Sequence, residues 1–181
     1  MILPIPPTAG QRGANGAGRK VLDVAAIRSL GSDVAVVVPV EDGHDIVAAS
    51  KSTGLERAES ELRRQRYQTN EPCFTIYHDA EYRDRNIDSE VCEPVGSAPV
   101  ESRGRVKVYE LPAITAASIV HHGTFDTLTN AYKVILKWIE DNGYRICGPE
   151  RELYLHTGSG QVRQDDPSYV TEVQFPVVKN G

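Results

Sequence analysis

The chain has 181 residues, of which 40% are hydrophobic and 25% charged, and its formal net charge is −5. This length fits one domain with a buried core, and the composition is typical of a folded globular protein. The acidic balance argues against a nucleic-acid-binding surface, which is normally basic. No apolar run approaches the roughly 18 residues of a membrane span.

The start of the chain, residues 1–20, is rich in proline and glycine and is predicted to form a flexible tail. It lacks the basic region and the long apolar stretch of a signal peptide. The three cysteines show no CxxC spacing, so we interpret them as reduced thiols of a cytoplasmic protein. They are Cys73, Cys92 and Cys147.

The first half of the chain, about residues 21–95, is predicted to form a β-α-β-β unit. A β-rich run covers residues 33–40, and a helix is expected near Thr53, where Thr53 and Glu56 have capping-box spacing. Two strands follow the helix, one through residues 74–77 and one through residues 90–92.

The second half, about residues 106–178, follows a connector at residues 96–105 and repeats the same order. After strand-like stretches, five apolar residues in steps of three and four predict an amphipathic helix: Phe125, Leu128, Tyr132, Ile135 and Ile139. Gly143 is expected just beyond the end of this helix. Two strands, through residues 151–156 and 170–177, complete the unit.

Short blocks recur in both halves in the same order. Pro72 and Tyr77 correspond to Pro149 and Tyr154, and Glu90 corresponds to Glu172. The predicted fold is therefore α+β: a tandem β-α-β-β repeat that forms a pseudo-twofold antiparallel sheet, with helices on one side and a central cleft. Such clefts are favoured ligand sites.

Six stretches of the sequence form recognisable motifs: Leu111-Pro112-Ala113, His121-His122-Gly123, Gly148–Tyr154, Tyr169–Val177, Phe74–Asp79 and Asp88–Val95. Through them the sequence closely resembles the gyrase-inhibitor-like (GyrI-like) family over roughly residues 21–178. This family is the effector-binding domain of many AraC- and MerR-type transcription regulators, and it also occurs as a stand-alone protein, so residues 21–181 are expected to form such a domain. The resemblance implies a cleft lined with aromatic side chains and an acid that recognises lipophilic cations, which corresponds to Glu172.

Six residues are candidates for ligand binding: Glu172, Tyr154, Glu152, Trp138, Tyr77 and Glu90. Strand alternation places Val173 and Phe175 against the helices and Glu172 on the opposite face, towards the expected cleft. A carboxylate in an apolar pocket needs a partner, which a bound cation supplies. The alternative is a solvated glutamate, or one paired with a nearby arginine.

The other candidates are expected to line the same cavity. Glu152 and Tyr154 share a face of the neighbouring strand, and a tyrosine ring suits cation–π contact. Tyr77 and Glu90 are their counterparts in the first half, while Trp138 either walls the cleft or packs in the core. No cofactor motif is present, and two adjacent histidines without further ligands do not favour a metal site.

The sequence thus favours a protein that binds amphipathic, cationic small molecules, of the transcription-effector or drug-sensing kind. No direct nucleic-acid or membrane partner is expected. Two alternatives stay open. One is a hydrolase of cyclopropane-containing DNA-alkylating natural products, in which a carboxylate acts as general base. The other is a protein of gyrase-inhibitor type, which binds gyrase or a separate regulator as its partner.

Overall fold

The computed structural model describes residues 25–30, 33–40, 60, 62–65, 72–79, 87–95, 100–157 and 165–181. The strands are β1 (Ala26–Leu30), β2 (Asp33–Val40), β3 (Phe74–Tyr77), β4 (Ser89–Pro94), β5 (Lys107–Leu111), β6 (Ile114–His122), β7 (Tyr144–Ile146), β8 (Glu150–His156) and β9 (Val170–Lys179). A 3₁₀ turn (Phe125–Thr127) leads into helix α1 (Thr129–Asp141).

The strands form one antiparallel sheet in the order β1-β6-β9-β8-β3-β4-β2-β5, with β7 pairing on the end of β9. The predicted antiparallel α+β class is confirmed. Each edge strand comes from a different half of the chain than the strand with which it pairs: β1 pairs with β6, and β5 pairs with β2. Strands β3 and β8 meet in the middle, where Thr75 lies opposite Glu152.

Helix α1 packs on one face of this sheet, which we call the helix side. Its buried residues Ala131, Ile135 and Ile139 join a core that includes Val173 and Phe175 of β9. The predicted alternation along β9 is confirmed, because these apolar side chains point to the helix and Glu172 points to the opposite face, which we call the far side.

The predicted apolar stripe that precedes and crosses the helix is also confirmed. Leu128, Ile135 and Ile139 are buried, and Phe125 and Tyr132 pack against the same core. Phe125 belongs to the 3₁₀ turn rather than to the helix itself. Gly143 follows the helix with a φ of 66°, a left-handed conformation that glycine adopts without strain.

Some predicted elements lie outside the described residues. These are the tail at residues 1–20, the start of the first helix near Thr53 and part of the connector at residues 96–105. Of that first helix, residues 62–64 are helical, and Leu62 is buried. The His121-His122 pair ends β6 before Gly123.

Candidate functional site

The pairing of β8 with β9 decides which predicted site residues share a face. Leu153 lies opposite Glu172, whereas Glu152 lies opposite Val173. Directly opposed residues of an antiparallel pair point to the same face. Glu152 therefore points to the helix side and Glu172 to the far side, although the sequence predicted that both line one cavity.

On the helix side, Glu152 accepts hydrogen bonds from three tyrosines. Tyr132 of α1 donates to Oε1 at 2.7 Å, and Tyr154 and Tyr77 donate to Oε2 at 3.0 Å and 3.2 Å. Tyr154 also shares a hydrogen bond of 3.0 Å with Thr75. We call Glu152, Tyr77, Tyr132 and Tyr154 the tyrosine–glutamate cluster. It joins β8, β3 and α1, so its geometry depends on both halves of the chain.

Further aromatic rings surround this cluster. Phe125 contacts Tyr154 edge-on, with ring centroids 6.1 Å apart, and lies 4.9 Å from the ring of Tyr169. The ring of Tyr132 meets Phe175 edge-on at 6.0 Å. Glu152 itself is only 5% exposed. The arrangement is a buried carboxylate bound by tyrosine hydroxyls, with further aromatic rings packed against those tyrosines, so that negative charge and apolar side chains lie close together.

The environment of the cluster keeps its phenols protonated. Burial raises the pKa of Tyr132 well above the ordinary value of 10.0, and the negative charges of Glu152 and Glu150 raise it further. Burial likewise raises the pKa of Tyr154, with further contributions from Tyr77 and Glu152. Both hydroxyls remain hydrogen-bond donors to the carboxylate near neutral pH.

These shifts predict a loss of stability in alkali. Above about pH 10 the unfolded tyrosine releases its proton while the folded one keeps it, so the free energy of unfolding falls by up to about 1.4 kcal/mol per pH unit for each such group. The contribution is complete below that pH and disappears as pH rises through the folded-state pKa. Urea unfolding between about pH 9 and pH 11 should show a shallower decline for Tyr132→Phe. Trp138→Phe, which removes no titrating group, should keep the wild-type slope; equal slopes in all three proteins would contradict the prediction.

Glu172 lies on the far side and has partners there. Arg28 of β1 places Nε 3.3 Å from Glu172 Oε1, and the Ser118 hydroxyl donates a short hydrogen bond to the same oxygen. The Glu172 side chain is 8% exposed. The structure therefore shows the arginine-paired arrangement that the sequence left open as the alternative.

Glu90 also lies on the far side, but away from Glu172. It accepts a hydrogen bond of 2.5 Å from Tyr109 and lies 3.2 Å from Nε2 of His78. Strands β3 and β8 lie between β4 and β9, which separates the two glutamates by roughly 14 Å. Each glutamate thus has its own set of neighbours.

Trp138 lies away from the cluster. Its ring stacks on Tyr144 at 6.0 Å, with an angle of 17° between the planes, and it packs against the core of the helix side. Tyr132, by contrast, was predicted only as part of the apolar stripe, yet it contacts Glu152 directly. The signal that could have identified it is its hydroxyl, because a tyrosine on a buried stripe usually needs a polar partner.

Within the described ranges, no group of three or more metal-binding side chains comes together. No helix in the same ranges is long and apolar enough to cross a membrane. On the helix side, the described side chains offer the negative charge of Glu152 and the aromatic residues around it.

Comparison with known proteins identifies the class of this domain. The family model of the GyrI-like small molecule binding domain matches residues 38–178. The chain belongs to this family, as its sequence motifs predicted.

Solved structures agree with this assignment. The C-terminal domain of EcmrR superposes with a TM-score of 0.71 and 30% identity, covering 86% of this chain and 98% of that domain. EcmrR in a complex with DNA matches with a TM-score of 0.72 and 31% identity over 88% of this chain, which spans only 58% of the EcmrR chain. A hydrolase from Listeria innocua shares the fold alone, with 13% identity, a TM-score of 0.60, and 85% of this chain and 91% of that one covered. No curated protein matches the chain in sequence.

Proposed function

We propose that this domain binds amphipathic, cationic small molecules at the tyrosine–glutamate cluster on the helix side of the sheet. The observation that carries the proposal is the buried carboxylate of Glu152, which accepts hydrogen bonds from the hydroxyls of Tyr77, Tyr132 and Tyr154. A cation near this carboxylate gains from its charge and from the tyrosine faces. The apolar part of the ligand gains about 25 cal/mol for each Å² that it buries.

The proposal includes a pseudo-twofold relation between the two halves, with its axis at this cluster. The strand order β6-β9-β8-β3-β4-β2 supports it, because equivalent strands follow in the same order from the centre outwards. The register supports it too: Ile76 opposite Glu90 in the first half matches Leu153 opposite Glu172 in the second. The axis then passes beside Thr75 and Glu152, where a central cleft is expected.

As its biological role, we infer that ligand binding serves an effector or drug-sensing function in the cytoplasm. The match to the C-terminal domain of EcmrR, a protein seen in complex with DNA, supports a link to transcription regulation. The acidic charge of the chain favours DNA contact through another polypeptide or segment rather than through this domain. Cys73, Cys92 and Cys147 are not joined in disulfides, which supports a reducing compartment.

Calorimetric titration with two dyes of similar shape and opposite charge tests the proposal. Rhodamine 6G is a xanthene cation, and fluorescein is a xanthene anion at neutral pH. We expect rhodamine 6G to bind at least about tenfold more tightly than fluorescein. A favourable pairing of opposite charges in a buried site is worth about a few kcal/mol. Calorimetry is preferable to tryptophan fluorescence because Trp138 stacks on Tyr144, away from the cluster.

Equal affinity for the two dyes would contradict charge selection by Glu152. Mass spectrometry of the recovered rhodamine 6G should show the intact dye, as expected for a binding protein. Conversion of a cyclopropane-containing substrate by the same preparation would instead favour the hydrolase alternative.

A further inference from the structure

The far side of the sheet carries a second group of polar side chains that the proposed site does not use. Gln174, Arg151 and Ile76 are direct neighbours across β9, β8 and β3 in the register of the sheet. Their side chains therefore point to the same face, opposite to Glu152. Leu153 and Phe74 occupy the next row of this face. The far side thus places a basic and an amide side chain beside the partly exposed Leu153, while Phe74 and Ile76 are buried in the core.

One nitrogen of the Arg151 guanidinium has no acceptor among the described residues. This atom, Nε, is buried and forms no hydrogen bond there. Burial also lowers the pKa of the guanidinium below its ordinary value of 12.5. Arg151 as a whole is only partly buried, but a buried N–H group without an acceptor is unfavourable.

The two glutamates that the structure describes on the far side have other partners. Glu90 is bound by Tyr109 and His78, and Glu172 is bound by Arg28 and Ser118. Neither glutamate forms an ion pair with Arg151. Among the described residues, the charge of Arg151 is therefore not matched by these acids.

Gln174 of β9 is the direct neighbour of Arg151, and it is only 3% exposed. Because Gln174 lies directly beside Arg151, one acceptor group between them can bind to both.

We propose that the far side holds a second ligand site, which takes a carboxylate with an apolar tail. The guanidinium of Arg151 and the amide of Gln174 donate to the carboxylate oxygens, a geometry for which arginine is well suited. The partly exposed Leu153 contacts the tail. This site is separate from the tyrosine–glutamate cluster, because the two lie on opposite faces of the sheet.

Calorimetric titration with octanoate tests this site, with octanamide as the neutral analogue of the same length and inorganic phosphate as an anion without a tail. We expect octanoate to bind, Arg151→Gln to weaken it by about tenfold or more, and octanamide to bind correspondingly less well. If phosphate binds as tightly as octanoate, the apolar tail of the ligand contributes nothing to binding, and the proposal of a site for a carboxylate with an apolar tail is overturned. The matched control is Arg145→Gln, an exposed arginine on β7, which should leave octanoate binding unchanged.

The fold and the first site are monitored in the same variants. Arg151→Gln removes an unpaired, partly buried charge, so it should unfold at the same or a higher temperature than the wild type. Its rhodamine 6G affinity should not change, and this result separates the two proposals. If Arg151→Gln does not fold, Gln174→Met provides the equivalent test, again with about a tenfold loss expected. Wild-type-like octanoate binding in the folded variant, or no octanoate binding by the wild type, would overturn the proposal.

Discussion

Replacing Glu152 with glutamine is expected to lower the affinity for rhodamine 6G by about tenfold or more. The substitution keeps the shape of the side chain and its hydrogen-bonding capacity for Tyr132, Tyr154 and Tyr77, but it removes the negative charge. Loss of one member of a desolvated charge pair typically costs about 2–5 kcal/mol. Calorimetric titration of Glu152→Gln against the wild type measures the effect, with circular dichroism to verify the fold.

The matched control for this experiment is Glu172→Gln, the same chemical change on the opposite face of the sheet. The sequence alone predicted that this substitution weakens cation binding. Since Glu172 is paired with Arg28 and Ser118 on the far side, we now expect its rhodamine 6G affinity to stay within about twofold of the wild type. If Glu172→Gln loses affinity and Glu152→Gln does not, the site lies on the far side and the proposed function is placed on the wrong face.

Breaking the Arg28–Glu172 pair is expected to destabilise the fold. Arg28→Gln leaves a carboxylate that is 8% exposed with one partner fewer. Breaking a fully buried pair costs about 3–5 kcal/mol, but Arg28 is 39% exposed, so we expect a decrease of about 1–3 kcal/mol in the free energy of unfolding. Urea unfolding of both single variants and of the double variant isolates the coupling between the two residues.

The local signature of this effect is faster hydrogen exchange in β1. Arg28 belongs to this edge strand, whose backbone pairs with β6 alone among the strands that the structure describes. Central strands β3 and β8 should keep their protection. Tyr109→Phe, at the opposite edge, offers a comparison: Glu90 is 20% exposed and retains His78, so a smaller loss of stability is expected. Equal protection of β1 in Arg28→Gln and the wild type would show that the ion pair does not secure this edge.

Local patterns in the sequence predicted the elements well. Apolar residues at helical spacing gave the helix that Gly143 follows, and period-two alternation separated Val173 and Phe175 from Glu172. These features depend on neighbours a few residues away. The family motifs identified the class of domain because they cover both halves of the chain.

The composition of the candidate site could not be predicted in the same way. Alternation gives two faces for each strand, but only the pairing of Leu153 with Glu172 shows that Glu152 points elsewhere. A shift of one residue in this register would have placed both acids on one face. The partnership of Arg28 with Glu172 had no local signal either, since it depends on β1 crossing to the second half of the sheet.

The exchange of edge strands constrains how this molecule can assemble. β1 precedes β2 in the chain yet completes the edge beside β6, and β5 precedes β6 yet completes the edge beside β2. Neither half of the chain therefore supplies every strand of its part of the sheet. A half that folds first has an open edge until a strand from the other half pairs with it. Contacts this distant along the chain slow folding. The same arrangement interlocks the halves, so that a single cut in the connector would leave two fragments held together by four interleaved strands.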